Sequence, residues 1–310
     1  GVLGTGISGP ARGPAAGAIQ YLRAQANESL VVSIDVPSGL DADTGRAEGD
    51  TVMADITVTM GLPKRGLVEP AAIDCVGAIE VADIGLPAEV VADAEADDRE
   101  MIYLTDLQML FPRRKRDTHK GQYGHVLLIG GARGYAGAIA MAARAATRSG
   151  VGRVTALVPE SIRSVVSLAS LETMVADAPE NAQGALSTQA VADIRRHLDR
   201  VQAVLIGPGL TRGDDALQLV RMLVRESAVP LVVDADALAV MKGQPDFFNK
   251  TKHPVTLTPH AGEMAMLLQS DAEQVQADRL GAAARVASLT RGVVVLKGAG
   301  TVVACEGKPM

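Results

Sequence analysis

Residues 125–138, with the sequence HVLLIGGARGYAGA, decide the fold class of this chain. The opening run HVLLI is short and apolar, which is typical of a buried strand. A glycine-rich turn follows it, and an alanine-rich helical pattern begins directly after the turn. Strand, turn and helix in this order form the repeating unit of an α/β protein, in which helices cover parallel strands.

The same unit recurs along the second part of the chain. The pattern predicts strands at residues 125–129, 153–158, 203–206, 231–234, 255–258, 293–297 and 301–305. It predicts helices at residues 136–149, near Val191, at 215–226 and at 272–290. This alternation indicates a doubly wound sheet, which binds its ligands in the turns after the carboxyl ends of the strands.

The first part of the chain is shorter and has the same character. Its apolar runs predict strands at 31–35, 56–60 and 78–83, with a helix at 14–25 before them. The stretch from 87 to 103 is rich in small and acidic residues and predicts a linker or an exposed connecting helix. We therefore predict a first domain at residues 1–90, a linker at 91–103 and a second domain at 104–310.

The composition is that of a globular protein and argues against several classes of function. Of the 310 residues, 47% are hydrophobic and 21% are charged. No apolar run approaches the roughly 18 residues that cross a bilayer. The net charge of −6 argues against a nucleic-acid partner, which requires a basic field. The first residues lack a secretory signal, so we expect no membrane partner and a cytoplasmic location.

Cysteine and aromatic residues are too scarce to build a site. Cys75 and Cys305 are far apart and match no zinc-ligand spacing, so neither a structural zinc nor a disulfide framework is expected. Aromatic residues make up 2% of the chain, so stacking of bases on aromatic side chains is not expected either. The short basic run at 113–116 is interpreted as a solvated loop rather than a phosphate-binding patch.

Two motifs of the first part carry candidate chemistry. GTGISGPARGP at 4–14 is a glycine-rich turn before a helix, which suits an anion but is also common as a plain turn. In VVSIDVPSGLDADTG, Asp35 ends a strand. A dry strand end raises the pKa of a carboxyl group and suits general acid/base work. The alternative is that Asp35 caps the amides of Ser38 and Gly39 in a turn.

Glycine-rich and aspartate-rich turns also end the strands of the second part. The turn after residue 129 suits a phosphate or a flat ring, although its small residues equally suit close packing of a helix on the sheet. LIGPGL at 205–210 and VVDADAL at 232–238 place further turns at the same edge of the sheet. Asp234 and Asp236 could hold Mg²⁺ or a substrate hydroxyl, or one of them could cap the next helix.

The last two motifs add an imidazole and an amine. His260 in TLTPHAGEM lies between a strand and a helix N-terminus, where it could bond a ligand or be a satisfied structural side chain. Lys297 in VVVLKGAGTVVA ends a strand before a glycine-rich turn. That turn suits the phosphates of a nucleotide, and the alternative is a tight β-turn with a surface lysine.

Taken in order, these motifs resemble the family of bifunctional NAD(P)H-hydrate repair enzymes. GTGISGP, DVPSGLDADTG, ADITVTMGLPKRGL at 54–67 and VADIGLP at 81–87 look like the second half of an NAD(P)H-hydrate epimerase domain. HKGQYGHVLLIGGARGYAGA, IGPGL, VDADAL, TPHAGE and LKGAGT follow in the order of an NAD(P)H-hydrate dehydratase. The resemblance implies an α/β protein with a partial Rossmann-like epimerase domain, followed by a ribokinase-like doubly wound domain that lacks its C-terminal part.

The resemblance also implies an activity, the repair of hydrated NADH and NADPH. The R and S hydrates would be epimerised, and the S hydrate would be dehydrated with ADP or ATP, potassium and Mg²⁺ as cofactors. The terminal phosphate of the nucleotide turns the C6 hydroxyl into a leaving group, because phosphate leaves far more readily than hydroxide. The full-length protein is expected to be a homo-oligomer.

The matching positions assign roles residue by residue. In the epimerase part, Asp35 would contact the hydrate and act at its C6 centre, and Ser38 would help to hold potassium. The other hydrate-binding positions of that part would be Gly4, Thr5, Gly6, Ile7, Ser8, Gly9 and Pro10. In the dehydratase part the hydrate-binding positions would be Ala138, Gly209 and His260, and the nucleotide-binding positions would be Lys297, Gly298, Ala299, Gly300 and Thr301.

The chain departs from the family's pattern at both ends. An NNGGDG-type loop and a potassium-binding aspartate would precede residue 1, and a GGTGD motif with the catalytic aspartate of the dehydratase would follow Met310. We therefore expect a fragment in which neither active site is complete and which has no turnover of its own. Two alternatives stand beside this interpretation. One is a ribokinase-like small-molecule kinase, which would lack a segment like residues 4–87, and the other is a nucleotide-binding module without catalysis.

Overall fold

The computed structural model describes residues 2–7, 9–26, 28–94 and 99–307. The chain divides into two compact units, residues 1–97 and residues 98–310. The sheet of the first unit has three strands and the sheet of the second has eight. Both units combine parallel strands with helices, so the predicted α/β fold is confirmed.

The first unit is built on a parallel sheet in the order β1-β2-β3. Its strands are β1 (Val32–Ile34), β2 (Ile56–Met60) and β3 (Ala78–Ala82), and its helices are α1 (Gly13–Gln25), α2 (Arg65–Val68), α3 (Ile73–Val76) and α4 (Ala88–Ala94). A small apolar core forms where the loop after β1 packs against α2, α3 and the turn between them. Its buried residues are Val36, Leu40, Leu67, Ala72 and Val76.

The second unit is built on a sheet in the order β11-β10-β9-β8-β7-β4-β5-β6. Its strands are β4 (His125–Ile129), β5 (Arg153–Pro159), β6 (Met174–Ala178), β7 (Ala203–Ile206), β8 (Leu231–Val233), β9 (Val255–Leu257), β10 (Val293–Leu296) and β11 (Val302–Cys305). All neighbouring pairs are parallel except β10 and β11, which form an antiparallel hairpin.

Helices cover both faces of this sheet. They are α6 (Ala136–Arg148), α7 (Arg163–Ala169), α8 (Val191–Leu198), α9 (Asp214–Glu226), α10 (Asp236–Ala239), α11 (Ala261–Leu268), α12 (Ala272–Ala277) and α13 (Arg279–Thr290). Before them in the chain, α5 (Leu104–Leu110) has only exposed residues. In β4, Leu127 and Ile129 belong to a core shared with α8, α9, α11 and α13, whereas Leu128 belongs to a core shared with α6 and α7. Because successive side chains of a strand point to opposite faces, these cores are the two sides of one sheet.

The predicted strands and helices begin and end at or next to the predicted residues, except at 272–290, and the structure also has elements that were not predicted, among them β6, α5 and α7. Strand β6 is missing from the prediction because its sequence, MVADA, is short, partly polar and half-exposed at the sheet edge. The predicted helix at 272–290 is two helices, α12 and α13, because the chain turns at Asp278, where φ is −140°. The Asp278 carboxylate then accepts the amide of Gly281 at 2.8 Å and begins α13.

The predicted linker, 91–103, begins inside helix α4 (Ala88–Ala94). Helix α4 ends at residue 94, and α5 begins at Leu104. Residues 95–98 lie outside the described residues, so the assignment of 91–103 as a linker stays a prediction.

The first residue of β4, His125, is buried where this strand begins. Its ring Nε2 lies 2.8 Å from the Thr155 hydroxyl. Burial lowers the pKa of His125 most, and the positive charge of Arg153 lowers it further, against a hydrogen bond with the backbone of Arg200 that raises it. His125 is therefore neutral in the folded protein at pH values where the unfolded chain is already protonated.

We expect acid to destabilise the second unit partly through His125. Below about pH 6.5 the unfolded chain binds a proton that the folded chain does not, so the free energy of unfolding falls with pH. His125→Gln removes part of this fall, whereas His253→Gln, at an exposed position, leaves it unchanged. Urea unfolding above and below about pH 6.5 measures the free energy of unfolding of each variant and of the unaltered chain. An equally steep fall in the His125 variant would show that another group causes it.

Candidate functional site

The order of the strands places a crevice beside β4. In the chain, β5 and β6 follow β4 on one side of it, whereas β7, β8, β9 and β10 lie on its other side. The helices after β4 and β7, α6 and α9, accordingly pack on opposite faces of the sheet. A doubly wound sheet opens at this switch point, and the opening lies at the carboxyl ends of the strands.

At the switch point, glycines allow the turn after β4 and the turn after β7 to lie in contact. The Gly131 amide donates to the carbonyl oxygen of Pro208 at 2.8 Å. At Gly209, where φ is +65°, a Cβ would lie 2.8 Å from the carbonyl oxygen of Tyr135 and 3.3 Å from the Ala138 Cβ. Only small residues fit this contact. The structure therefore brings Ala138 and Gly209 together, as expected if both line one binding surface.

A lysine and two carboxylates meet at the ends of the next strands. Lys297, after β10, donates from Nζ to Oδ1 of Asp234, after β8, at 2.7 Å. Thr258, after β9, donates its hydroxyl to the same oxygen at 2.8 Å. Oε2 of Glu263 lies 3.9 Å from the same lysine nitrogen. Side chains from three strands thus form one polar cluster at the carboxyl edge of the sheet.

His260 is the N-cap of α11. Its Nδ1 accepts the amides of Gly262 at 3.0 Å and Glu263 at 3.3 Å, and its own amide donates to the Glu263 carboxylate at 2.8 Å. Because Nδ1 accepts, the proton of the neutral ring is on Nε2. That nitrogen lies 3.5 Å from the other Glu263 oxygen, and the side chain is 59% exposed. His260 is therefore both a structural cap and an available donor.

The loop after β10 combines exposed residues with unused amides. Residues 298–301 are exposed, and φ is +149° at Gly298 and +63° at Gly300. The Thr301 hydroxyl donates to the carbonyl oxygen of Gly298 at 3.0 Å and closes the loop. In the part of the chain that the structure describes, the amides of residues 298–300 donate no hydrogen bond. Free amides on a glycine-rich loop form a concave site for an anion.

The two aspartates of the VVDADAL motif differ. Asp234 belongs to the cluster with Lys297. The carboxylate of Asp236 accepts the Thr211 amide at 3.0 Å and Nε of Arg212 at 3.0 Å, so it fixes the loop after β7 rather than capping its own helix. Among the described residues, no group of three or more acidic, histidine or cysteine side chains is arranged to hold a metal ion.

In the first unit, Asp35 follows β1 with a φ of +69°. Its Oδ1 accepts the Met60 amide at 3.1 Å and the Thr59 hydroxyl at 3.3 Å, and Lys64 donates to the same atom. These partners lie at and after the end of β2, so the alternative that Asp35 caps the turn at 38–39 is wrong. Lys64, in the segment GLPKRGL, is a site residue that the sequence does not single out.

The expectation of a raised pKa at Asp35 is also wrong. Burial raises its pKa, but hydrogen bonds from Lys64 and the Met60 amide, together with the Lys64 charge, lower it by more. The carboxyl group therefore stays ionised below its ordinary range. An ionised carboxylate suits a general base rather than a general acid.

Removing the Lys64 amine should reverse that shift. In Lys64→Met the burial of Asp35 remains while its main stabilising partner is lost, so we expect the pKa of Asp35 to rise. Carbon-detected NMR of the carboxyl group during a pH titration measures it. Arg46→Met removes an exposed cation from the same unit and should leave the pKa unchanged. An unchanged or lower pKa in the Lys64 variant would mean that Lys64 does not control it.

Ser38 binds the backbone before the glycine-rich motif. Its hydroxyl accepts the amides of Val2 at 3.0 Å and Leu3 at 2.9 Å and donates to the Leu3 carbonyl oxygen at 3.0 Å. Ser38, three residues after Asp35 in the chain, thereby holds the backbone immediately before the GTGISGP motif. The motif positions Gly4, Thr5, Gly6, Ile7, Gly9 and Pro10 are half-buried or exposed. Ser8 lies outside the described residues.

The fold and these turns define a class, that of doubly wound α/β proteins with glycine-rich turns at the carboxyl edge of the sheet. Comparisons with known proteins narrow it. The model of the NAD(P)H-hydrate dehydratase family matches residues 126–310, and the model of the YjeF-related protein N-terminus matches residues 1–66. The chain belongs to the NAD(P)H-hydrate dehydratase family, and the resemblance stated from its motifs is confirmed.

Curated relatives extend the similarity to almost the whole chain. The bifunctional NAD(P)H-hydrate repair enzyme Nnr of Moorella thermoacetica is 41% identical over 303 residues, which are 98% of this chain and 57% of that protein. The protein of the same name from Coxiella burnetii is 37% identical over 99% of this chain and 59% of its own length. The chain therefore spans somewhat more than half the length of these relatives.

Solved structures are similar to about two thirds of the chain. The ADP/ATP-dependent NAD(P)H-hydrate dehydratase from Bacillus subtilis, co-crystallised with ATP and Mg²⁺, is 28% identical with a TM-score of 0.53, covering 64% of this chain and 66% of that one. A ribokinase-like superfamily protein from Enterococcus faecalis is 25% identical with a TM-score of 0.54, covering 68% and 73%. The predicted ribokinase-like fold is thereby confirmed.

No helix in the described ranges has the length and apolarity needed to span a bilayer.

Proposed function

We propose that this chain is the nucleotide- and hydrate-binding part of an enzyme that repairs hydrated NADH and NADPH. Residues 104–310 would belong to the ADP- or ATP-dependent dehydratase, and residues 1–90 to the epimerase. The observation that carries the proposal is the meeting of Asp234, Lys297 and the free amides of residues 298–300 beside the switch-point glycines. This edge offers a cation, amide donors and a flat, small-residue surface.

Each part of the edge suits a part of the substrates. The amides after Lys297 and its ammonium group suit the phosphates of ADP or ATP. The turns that carry Ala138 and Gly209 lie in close contact, so small residues form this part of the edge, which suits a flat ring. The exposed Nε2–H of His260 suits a carbonyl or hydroxyl oxygen of the hydrate. In the first unit, the ionised carboxylate of Asp35 would remove a proton at the C6 centre of the hydrate.

The proposed dehydration needs a nucleotide because hydroxide is a poor leaving group. Transfer of the terminal phosphoryl group from ADP or ATP to the C6 hydroxyl would release AMP or ADP and give a phosphate ester, and loss of inorganic phosphate from C6 together with a proton from C5 would then restore the double bond of the reduced ring. The chain's residues would hold the nucleotide phosphates at the loop after β10 and the ring at the turns that follow β4 and β7. Exclusion of water from the bound phosphoryl group would favour its transfer to the hydrate over hydrolysis.

The two proposed metal ions fit the described residues differently. Mg²⁺ usually binds through one or two carboxylates together with nucleotide phosphates and water, so Asp234 beside the phosphate loop fits it. Potassium at Ser38 does not fit in the same way. The Ser38 hydroxyl already accepts two amides and donates to a carbonyl oxygen, so no catalytic step is assigned to potassium here.

The test is an assay of the complete polypeptide that carries this sequence. With hydrated NADH and ADP, the absorbance of the reduced nicotinamide should return, and it should not return without nucleotide or with a non-hydrolysable ADP analogue. Accumulation of a stable phosphorylated product would instead indicate the kinase alternative. The match of residues 1–66 to a separate family model favours repair over that kinase. Absence of any turnover or nucleotide binding would contradict the proposal.

A further inference from the structure

A buried guanidinium lies directly behind the loop at 297–301. Arg279 is the first residue of α13, and only 5% of its surface is exposed. A Cβ on Gly298 would lie 3.1 Å from both terminal nitrogens of Arg279. The loop therefore rests closely on the guanidinium, at a position whose φ of +149° favours glycine, and no sequence motif marks the arginine.

Arg279 ties the two ends of the loop together. Its Nη2 donates to the carbonyl oxygen of Leu296, which ends β10, at 2.9 Å, and to that of Gly300 at 3.3 Å. Its Nη1 donates to the side chain of Gln276 at 2.7 Å. The first two bonds hold both sides of the turn, so the amides between them have a defined direction.

The charge of Arg279 has no counter-charge among the residues that the structure describes. No carboxylate of the described residues lies within 4.0 Å of the guanidinium, and its Nε is buried without a hydrogen-bond partner. Burial lowers the pKa of Arg279, which reflects the cost of keeping a charge away from water. Buried charges are normally paired, because the cost of an unpaired one is several kcal/mol.

The neighbouring cation cannot play the same part. Lys297 is already paired with Asp234 at 2.7 Å and lies 3.9 Å from Glu263. The uncompensated positive charge at this loop is therefore that of Arg279, together with the N-terminal end of the α13 dipole. An anion held by the free amides of residues 298–300 would supply the counter-charge that the protein lacks.

We propose that Arg279 is a positioning residue of the phosphate-binding loop. It shapes the loop through its hydrogen bonds to Leu296 and Gly300, and its buried charge sets the loop's preference for anions. The proposal rests on the proposed nucleotide function for the identity of the ligand, the phosphates of a nucleoside diphosphate. The guanidinium acts from behind the loop and does not need to touch the ligand.

The experiment measures binding of ADP and of inorganic pyrophosphate to this chain by calorimetry at low and high salt. The variants are Arg279→Met, which removes the charge and the clamp, and Arg279→Lys, which keeps the charge. Arg285→Met removes an exposed arginine from the same helix and is the matched control. Thermal melts of each variant show whether the chain folds.

We expect Arg279→Met to weaken the binding of both ligands about tenfold or more at low salt and to make the affinity less dependent on salt concentration. Arg279→Lys should keep most of the salt dependence, and Arg285→Met should bind like the unaltered chain. If Arg279→Met fails to fold, the salt dependence of Arg279→Lys decides between charge and shape. A purely structural role would weaken binding equally at all salt concentrations and would overturn the proposal.

The remaining outcomes separate this proposal from the proposed function. Unchanged ADP binding in Arg279→Met would overturn the role of Arg279 and leave the nucleotide function standing. Arg279-dependent binding of pyrophosphate without binding of ADP would support the role of Arg279 and contradict the nucleotide function. Binding of neither ligand by the unaltered chain would overturn both.

Discussion

Gly207→Ala is expected to lower the free energy of unfolding of the second unit by about 2–6 kcal/mol. Gly207 follows β7 at the switch point with a φ of +131°, a conformation that alanine adopts only with strain. A Cβ there would overlap the carbonyl oxygen of Asp234 and lie 2.8 Å from its carbonyl carbon and 2.9 Å from the Ala237 Cβ.

The neighbouring backbone cannot move away from that Cβ. The Gly207 amide donates to Ile129 at 3.1 Å and the Asp234 amide donates to Ile206 at 3.0 Å, so the ends of three adjacent strands are hydrogen-bonded together. Relief of the overlap would break these bonds at the edge that carries the candidate site.

Urea unfolding followed by circular dichroism measures this effect. Gly137→Ala is the control, because Gly137 lies in α6 with no atom within 4 Å of an added Cβ, and alanine there should slightly stabilise the helix. A Gly207 variant as stable as the unaltered chain would show that the turn after β7 is more adaptable than these distances allow.

Lys297→Ala is expected to weaken binding of ADP about 10–100-fold, the effect of removing a charged hydrogen-bond donor. In the protein alone, Lys297 neutralises Asp234 at 2.7 Å and lies 3.9 Å from Glu263. Without its amine, these carboxylates would remain near the loop and repel the phosphates. The substitution therefore removes the attraction of Lys297 for the phosphates and also the positive charge that neutralises Asp234.

The charge balance of this cluster gives the prediction an internal control. In titrations without Mg²⁺, Asp234→Asn in the Lys297→Ala background removes one of the repelling carboxylates and should recover part of the affinity. Lys252→Ala removes an exposed lysine that precedes β9, at the opposite edge of the sheet, and should leave affinity unchanged. Calorimetric titrations that show equal ADP binding by Lys297→Ala and the unaltered chain would remove Lys297 from the nucleotide site.

The inner strands of the second unit could be predicted because helices pack on both faces of the sheet. HVLLI and AVLI are continuous apolar runs, and each is followed by a glycine turn that has no helical pattern. Strand β6 could not be predicted in this way, because an edge strand with one exposed face needs fewer apolar residues. The break between α12 and α13 depends on Asp278, whose side chain could equally have faced solvent in a continuous helix.

The candidate site was predictable as a set of turns but not as a set of contacts. Lys297 and Asp234 lie 63 residues apart, and only the strand order shows that they meet. Glu263 could have been found, since it follows His260 by three residues in the spacing of a capping box. Arg279 carries no local signal, because its importance comes from burial behind a distant loop.

The pKa of Asp35 shows why residue type and strand position are insufficient. The end of a strand does bury the carboxyl group, as expected, and burial does raise its pKa. The opposite net result comes from Lys64, which approaches from the loop after β2. A pKa depends on every nearby charge, so it could not be predicted before the fold was known.

The most direct measurement is an NMR titration of this chain with ADP and Mg²⁺, with the backbone amides assigned. We predict saturable shifts at residues 297–301 and at Gly209, at the carboxyl edge of the eight-stranded sheet. The amides of Gly124 and Gln202, which precede β4 and β7 at the opposite edge, should not shift. Saturable shifts confined to that opposite edge, or none at residues 297–301 under saturating ADP, would contradict a nucleotide site at the carboxyl edge.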